Sequence, residues 1–309
     1  MPSAGEIRQQ LSFEIARRNR LAVPAFAGGV LYLLSSIIIS ATLNGAPTVG
    51  LLQGLAPAFS GVADPRVSPR AEEVKFISHH AGPLIGGSVI AAIAVAVLTL
   101  VLLLLVKATR FRRPETFARA GQLVLAGGIA FAAISVAHQV VTAIETHKFA
   151  TGHDFSSHAV EQALTKGTAN QIVVYLATLS GLALAAGTII VCLGAQRVGL
   201  LPRWMGILGI FTGLLIFFPI GGAQLQIVPA FWMVMMGILL IGRWPGGDPP
   251  AWGAGEARPW PTAADQRAAR QAAATPATAT AGAAEPARPT SSRAQKRRQR
   301  RKGRGGRTS

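Results

Sequence analysis

The chain has 309 residues, of which 50% are hydrophobic and only 14% are charged. Soluble globular domains carry roughly 25% charged residues, so this composition indicates a protein that lies in lipid. The formal net charge is +17, which requires anionic partners or a one-sided placement of basic residues at a membrane. The single cysteine, Cys192, excludes an internal disulfide and a cysteine-based zinc site.

Four apolar runs are each long enough to cross a bilayer as one helix. A helix rises about 1.5 Å per residue and the hydrocarbon core is about 30 Å thick, so a span needs roughly 20 apolar residues. The runs contain no Asp, Glu, Lys or Arg and cover residues 21–43, 84–106, 121–144 and 171–195. The first run exceeds the apolar region of a secretion signal, roughly 7 to 15 residues, and predicts an uncleaved signal anchor.

A fifth uncharged stretch, residues 205–242, is 38 residues long and is interrupted by Pro219, Gly221, Gly222 and Pro229. It predicts a hairpin of two spans, 205–221 and 224–242. The alternative is one span with a re-entrant piece, which must be buried against protein because lipid cannot satisfy an open backbone. The predicted fold class is therefore all-α, a polytopic transmembrane bundle of six spans that covers residues 21–242.

Basic residues on alternating flanks predict the orientation of these spans. Residues 1–20 and the loops at 107–120 and near 200 carry eleven Lys or Arg, whereas the opposite loops carry five. The side richer in Lys and Arg faces the cytoplasm. We therefore expect residues 1–20 to be a cytoplasmic segment and both termini to be cytoplasmic. Arginine outnumbers lysine 24 to 6, a bias of GC-rich codons that favours a bacterial plasma membrane.

Small residues indicate where the helices approach one another closely. They include Gly82, Gly86 and Gly87, then Gly127 with Gly128, Gly181 with Ala185, and the G-x-x-x-G pair Gly209 and Gly213. Such faces pack helices within one bundle or between copies of a chain. Packing within the bundle is the favoured interpretation, and a homo-oligomer through these faces is the alternative.

The segment RVGLLPRWMGILGIFTGLL, residues 197–215, contains a helix end, a Gly and Pro turn, an interfacial Arg and a Trp anchor. It resembles the short loop and following span of uncharacterised multi-pass membrane proteins of high-GC Gram-positive bacteria, grouped under domains of unknown function. The resemblance covers about 20 residues, a motif-sized match. No functional residue is carried over from it.

All six histidines fall on the predicted outer side: His79, His80, His138, His147, His153 and His158. Ser68, Pro69 and Glu72 predict a short outer helix over 69–81 that is stopped by Gly82 and Pro83. His79 and His80 are adjacent on that helix, so at most one of them can face a given site.

Imidazoles and carboxylates near the third span are the ligand types of Zn²⁺ and similar divalent metals. Ser157 predicts a short helix that runs to Lys166 and is ended by Gly167, with His158 and Glu161 on one face. The candidate metal ligands are His138, Glu145, His147, His153, Asp154, His158 and Glu161. The same groups suit a pH sensor. Their spacing matches no zinc signature, so solvated loop residues are the favoured interpretation, and no cofactor is expected.

The spans contain no ionisable Asp, Glu, Lys or Arg, so the carboxylate relays of proton-coupled transporters are not indicated. The chain has no P-loop, no G-x-S-x-G elbow and no dinucleotide fingerprint. The longest outer loop is about 40 residues, too short for a core of its own. The sequence therefore does not favour an enzyme.

From Arg243 the composition changes. Residues 243–289 are rich in Pro, Ala, Gly and Thr and predict a disordered linker. Trp244, Trp252 and Trp260 recur every eight residues in its first part, and we expect them to lie along the headgroup layer, where Trp is enriched.

Residues 290–309 form a basic tail without acidic residues. Such a run binds phosphates without reading sequence, and we expect it to contact anionic lipid headgroups or, as the alternative, RNA or the ribosome. Its basic residues are Arg293, Lys296, Arg297, Arg298, Arg300, Arg301, Lys302, Arg304 and Arg307.

Three functions are compatible with this organisation. The favoured one is a multi-pass structural or interaction protein of the membrane. The second is a small-solute transporter or pH sensor that uses an outward-facing histidine pocket. The third is a metal-dependent membrane hydrolase centred on His138, Glu145, His153 and His158.

Overall fold

The computed structural model describes residues 3–50, 59, 67–114, 119–218, 226–245, 247–261 and 263–274. The chain divides into two units, Met1–Trp260 and Pro261–Ser309. In the second unit the described element is the helix Ala263–Ala274 (α10). The basic residues of the tail at 290–309 and the second part of the predicted linker, from residue 275, lie outside the described residues.

The predicted all-α fold is confirmed. Within the described residues the regular elements are helices, apart from one bridge between Val67 and Phe155. The helices of the first unit are α1 (Ala4–Asn44), α2 (Ala71–His79), α3 (Ala81–Arg112), α4 (Ala120–Thr151), α5 (Ser157–Glu161), a π turn (Gln162–Lys166), α6 (Thr168–Val198), α7 (Arg203–Phe217), α8 (Ile227–Ile241) and α9 (Pro250–Ala254).

Four helical stretches are long and apolar enough to cross a membrane: α1, α3, α4 and the stretch Ser157–Val198 that ends with α6. The other two predicted spans are shorter than expected, because α7 and α8 have 15 residues each. At about 1.5 Å per residue each is roughly 22 Å long, less than the hydrocarbon thickness of about 30 Å. The protein is therefore a membrane-embedded bundle of four long and two shorter apolar helices.

The six apolar helices pack in a closed ring. In spatial order α8 contacts α1, α1 contacts α3, α3 contacts α4, α4 contacts α6, α6 contacts α7, and α7 returns to α8. Large apolar side chains such as Ile37, Ile129 and Leu179 point outwards and are exposed, whereas Leu102, Leu184 and Trp232 are buried between helices. An exposed apolar surface of this kind faces lipid rather than water.

The bundle has two chemically different ends. The basic end carries Glu14 of α1, the last turn of α3, the α6–α7 turn and helix α9, which are joined by direct side-chain hydrogen bonds. The histidine end carries helix α2, the last turn of α4 and helix α5. These three elements share a small apolar cluster. The chain enters α1 and leaves α8 at the same end, so an even number of helices separates these two points.

Helix α1 begins 17 residues before the predicted first span. Ser3 is its N-cap, with the Ser3 hydroxyl accepting from the Glu6 N–H and the Glu6 carboxylate accepting from the Ser3 N–H. This reciprocal capping box satisfies two otherwise free donors and fixes where the helix begins. The segment 1–20, predicted as a cytoplasmic N-terminal segment, is therefore a rigid helical extension of the first span over its described residues from Ala4.

Most of the small-residue faces pack inside the bundle, as the favoured interpretation predicted. A Cβ placed on Gly127 would lie 2.6 Å from the backbone nitrogen of Leu184, and one on Gly209 would collide with Sγ of Cys192. Gly82 and Gly86 instead meet no atom within 4 Å. The alternative of a homo-oligomer stays a prediction.

The boundary between α2 and α3 differs from the prediction. Helix α2 ends at His79, and α3 begins at Ala81, so Gly82 and Pro83 lie inside the first turn of α3 rather than ending α2. A proline is tolerated in a first turn because the N–H that it lacks has no partner within the helix.

Candidate functional site

The histidine end contains the residues that the sequence proposed as metal ligands. Val74, Phe149 and Val160 bury one another there, and Ser68 donates its N–H to the carbonyl of Phe155 at 2.7 Å. This packing holds α2 against the end of α4 and positions α5 beside it. The local core is small, so the polar side chains around it stay near solvent.

The histidines do not converge. Nδ1 of His79 bonds to the carbonyl of Lys75 at 2.8 Å, and Nδ1 of His80 bonds to that of Phe76 at 2.9 Å. His138 is half-buried on α4, and the remaining three, His147, His153 and His158, are exposed. Each imidazole is therefore placed by its own helix or loop rather than by a shared pocket.

The acidic candidates have cationic neighbours. Oε1 of Glu145 accepts from Nζ of Lys148 at 2.9 Å, and Glu161 pairs with Lys166. Over the described residues, which include all seven candidates, no group of three His, Cys, Asp or Glu side chains is placed to hold a metal ion. The metal site stays a prediction, and elemental analysis of gently purified protein tests it.

The cap of α5 lies one residue before the predicted one. Ser156, not Ser157, is the N-cap, and its hydroxyl accepts from the Ala159 N–H at 3.3 Å. The predicted end at Gly167 is confirmed, although residues 162–166 form a π turn. The Ser156 N–H in turn donates to Oδ1 of Asp154 at 2.9 Å, which lowers the pKa of that carboxyl.

Acid should loosen this helix first. The Ser156 N–H lowers the pKa of Asp154 below its ordinary value of 3.8, and the Lys166 ammonium lowers the pKa of Glu161 below 4.5. A carboxyl with a lowered folded pKa stabilises the fold above its ordinary pKa, and this contribution is lost as the pH falls through the folded value. We expect the protection factors of the amides over 156–166, which are corrected for the pH dependence of intrinsic exchange, to fall below about pH 4 in the wild type. In Asp154→Asn and Glu161→Gln variants this acid dependence should be smaller; an unchanged pH profile would contradict the assignment.

The basic end contains a buried ion pair that the sequence did not indicate. Nη1 and Nη2 of Arg112 donate to Oε1 and Oε2 of Glu14, both at 2.8 Å, and the two side chains are 0% and 1% exposed. Arg112 also donates to the carbonyls of Ala108 and Ala251, and Gln10 donates to Glu14. A buried charge is tolerated when its partners satisfy it this fully.

Trp252 of α9 packs beside the ion pair of Glu14 and Arg112. Its indole Nε1–H donates to the carbonyl of Leu200 at 3.0 Å, and its ring lies 4.9 Å from the Arg18 guanidinium and 5.9 Å from that of Arg112. Nη2 of Arg18 in turn bonds to the Leu239 carbonyl and to Oδ1 of Asp248, each at 3.1 Å. We call Glu14, Arg18, Arg112, Asp248 and Trp252 the clamp.

The clamp corrects two predictions. Residues 243–289 were expected to form a disordered linker, but the described residues 247–260 at its start fold onto the bundle, with Ala251 and Trp252 buried. Trp252 was expected at the headgroup layer and is instead covered by protein, because two guanidinium groups and the α6–α7 turn provide it with a complete set of partners. Of the three tryptophans, Trp244 stacks on exposed Trp204 at 5.3 Å.

The α6–α7 turn is shaped to receive this segment. The Arg258 N–H donates to the carbonyl of Val198 at 3.0 Å. Gly199 has φ of +85°, and a Cβ on it would collide with the Arg258 carbonyl. The turn therefore needs glycine both for its backbone conformation and for space.

Gly199→Ala should release the segment. The left-handed conformation costs a residue with a side chain roughly 1 to 2 kcal/mol, and the collision with Arg258 adds to it. We expect faster amide exchange of residues 256–260 and a lower melting temperature. Gly86→Ala, where a Cβ meets no atom within 4 Å, is the matched control and should be neutral or stabilising by up to about 1 kcal/mol. Equal behaviour of the two variants would show that the turn tolerates a side chain.

Comparisons with family models, with curated proteins and with solved structures find no match to this chain. The fold and the clamp define a membrane-embedded α-helical protein in which the segment after the last apolar helix is docked on one end of the bundle. The resemblance of residues 197–215 stays a prediction; these residues supply the turn that receives the docked segment.

Proposed function

We propose that the protein is a structural or interaction protein of the plasma membrane that presents its basic C-terminal tail at the cytoplasmic surface. The observation that carries this proposal is the clamp. It fixes residues 248–252 to the same end of the bundle that holds Arg17, Arg18 and Arg112, so the chain departs towards its tail from a defined point.

The distribution of charge supports a cytoplasmic location for the basic end. Eleven Lys or Arg residues flank the helices there, against four among the described residues of the histidine end, and basic residues near membrane spans are retained on the inner side. Because the chain enters and leaves the bundle at this one end, both termini have the same orientation under this proposal.

Labelling of introduced cysteines tests the orientation. Cys192 is buried, so single cysteines at His153 and Ser291 in a Cys192→Ala background should report accessibility without interference. We expect a membrane-impermeant maleimide to label position 153 in intact cells and position 291 only after permeabilisation. Labelling in the opposite order would reverse the orientation and remove the proposal.

The tail is proposed to contact anionic lipid. It has nine Lys or Arg among residues 290–309 and no acidic residue, and each basic residue near an anionic leaflet contributes about 1 kcal/mol before screening. RNA offers the same phosphate chemistry, but the tail has no aromatic residue on which a base could stack. A lipid surface that adjoins the bundle is therefore the favoured partner.

Protection from trypsin in nanodiscs distinguishes these partners. Trypsin should cut the tail of the full-length protein more slowly in discs that contain phosphatidylglycerol than in phosphatidylcholine discs, and high salt should remove the difference. Equal cleavage in both discs, combined with protection by added RNA, would assign the tail to RNA. Equal cleavage without any protection would remove the proposed tail contact altogether.

The transport and hydrolase hypotheses rest on the histidine end. The acidic candidates Glu145 and Glu161 pair there with lysines, and no contact of the six histidines favours either function over the structural one. Alanine replacement of the six histidines tests a pH-sensing role, and bound-metal analysis tests hydrolysis.

A further inference from the structure

A second feature of the basic end is a cleft between the α6–α7 turn and residues 259–260. It has a volume of about 330 Å³ and is lined by Gln196, Arg197, Arg203, Pro259 and Trp260. The cleft exists because the Arg258 N–H bonds to Val198, which brings the docked segment over the end of α6. Its size is at the lower end of the range for ligand pockets, roughly 300 to 1,000 Å³.

The charges in the cleft are not neutralised by neighbouring acids. Arg197 and Arg203 are exposed, and neither forms an ion pair with a carboxylate of the described part of the chain. Glu256 of the docked segment pairs instead with Arg258 at 2.7 Å. The cleft therefore presents two guanidinium groups, whose planar forks match the oxygens of a phosphate.

The indole of Trp260 adds a donor that lacks an acceptor. Its Nε1 is buried and has no hydrogen-bond partner among the described residues. Buried polar atoms in folded proteins are satisfied in the great majority of cases, and an unmet donor costs free energy. An oxygen-rich anion in the cleft would pair with both arginines, and a rotation of the Trp260 ring that turns Nε1 towards the cleft would satisfy this donor as well.

The cleft also adjoins two stacked tryptophans. Arg203 is the first residue of α7, and the next residue, Trp204, is exposed and stacks on Trp244. Tryptophan is enriched at the interface between hydrocarbon and water, and we infer from this pair that the cleft lies at that depth. Lipid phosphates lie in this same layer.

We propose that this cleft binds a phosphate group, held by Arg197, Arg203 and Nε1 of Trp260. The chemistry is shared by the headgroup of an anionic phospholipid and by free phosphate, and the depth of the cleft favours the headgroup. The inference deepens the proposed contact with anionic lipid. It rests on the proposed function in one respect only, the assignment of the lipid to the cytoplasmic leaflet.

Binding to the full-length purified protein tests this site. The probes are phosphatidylglycerol and phosphatidylcholine, whose retention is measured by native mass spectrometry, and inorganic phosphate, whose binding is measured by calorimetry. The double variant R197Q/R203Q removes the cleft charges, and W260F keeps the ring but removes the N–H. R8Q/R20Q, which removes two exposed basic residues of α1, is the matched charge control.

We expect R197Q/R203Q to weaken phosphatidylglycerol retention by about tenfold or more, since charge-assisted hydrogen bonds are the strong class. W260F should weaken it about fivefold, and R8Q/R20Q should leave it unchanged. If inorganic phosphate, rather than lipid, binds in a manner lost in R197Q/R203Q, the site is a phosphate site with a soluble source. If R197Q/R203Q matches R8Q/R20Q for every probe, the inference is overturned.

A tail variant separates the two proposals. Replacement of the nine basic residues of 290–309 with glutamine also removes the tryptic sites, so this variant is compared with the wild type by proteinase K. Its tail should be cleaved equally in phosphatidylglycerol and phosphatidylcholine discs, whereas retention in the cleft should stay intact. If the wild-type tail is protected in phosphatidylglycerol discs but the cleft does not retain the lipid, only the inference about the cleft is contradicted. If the cleft retains the lipid but the tail is not protected, only the proposed role of the tail is contradicted.

Discussion

Glu14→Ala is expected to lower the free energy of unfolding by about 3 to 5 kcal/mol, because it leaves the Arg112 guanidinium buried without its counter-charge. Both oxygens of Glu14 accept from Arg112 at 2.8 Å. Because both side chains are buried, water cannot solvate the guanidinium in place of Glu14 while the fold is intact. The loss is measured as a shift in the unfolding transition followed by circular dichroism in mixed micelles.

Two further variants make this prediction specific. Glu73→Ala breaks the exposed pair with Arg70 and should cost no more than about 1 kcal/mol. The double variant E14M/R112M removes both buried charges and should recover most of the lost stability. If Glu14→Ala costs no more than Glu73→Ala, the buried pair of Glu14 and Arg112 does not stabilise the bundle.

Trp252→Ala is expected to release the docked segment while the bundle stays folded. Truncation of a buried tryptophan costs about 3 to 5 kcal/mol, and this change also removes the hydrogen bond to Leu200 and the contacts with two guanidinium groups. Amide exchange over 247–260 should rise to that of an open chain, and trypsin should cut faster at Arg243.

Two further tryptophan variants serve as controls for Trp252→Ala. Trp252→Phe keeps an aromatic ring and loses only the donor to Leu200, so a smaller loss of about 1 kcal/mol is expected. Trp204→Ala alters a tryptophan that is 44% exposed and should leave exchange over 247–260 unchanged. Protection of that segment in Trp252→Ala equal to the wild type would show that other contacts hold it.

The transmembrane architecture could be predicted because hydrophobicity and length decide it. The runs 84–106 and 121–144 appear as the cores of α3 (Ala81–Arg112) and α4 (Ala120–Thr151). The predicted runs end six and seven residues before the helices do. Polar residues can continue a helix beyond the hydrocarbon layer, and a search for apolar runs does not include them. Length alone could not show that α7 and α8 are short.

The clamp could not be predicted from charge counts. Glu14 and Arg112 lie in flanks where arginine is common, and a charge in a flank is ordinarily solvated. Their pairing spans 98 residues of sequence and depends on how α1 and α3 pack. One local signal was available, since the Ser3 and Glu6 capping box places Glu14 and Arg18 on a continuous helix, four residues apart on one face.

The clamp also has a consequence for how the protein is made. Arg112 bonds to the carbonyl of Ala251, 139 residues further along the chain, and ribosomes add roughly 5 to 20 residues per second. For on the order of ten seconds, a nascent chain therefore holds Glu14 and Arg112 without the indole that covers them. Only a chain translated past Trp252 can close its clamp, so the same contacts that stabilise the folded protein distinguish it from every product of its synthesis that ends before Trp252.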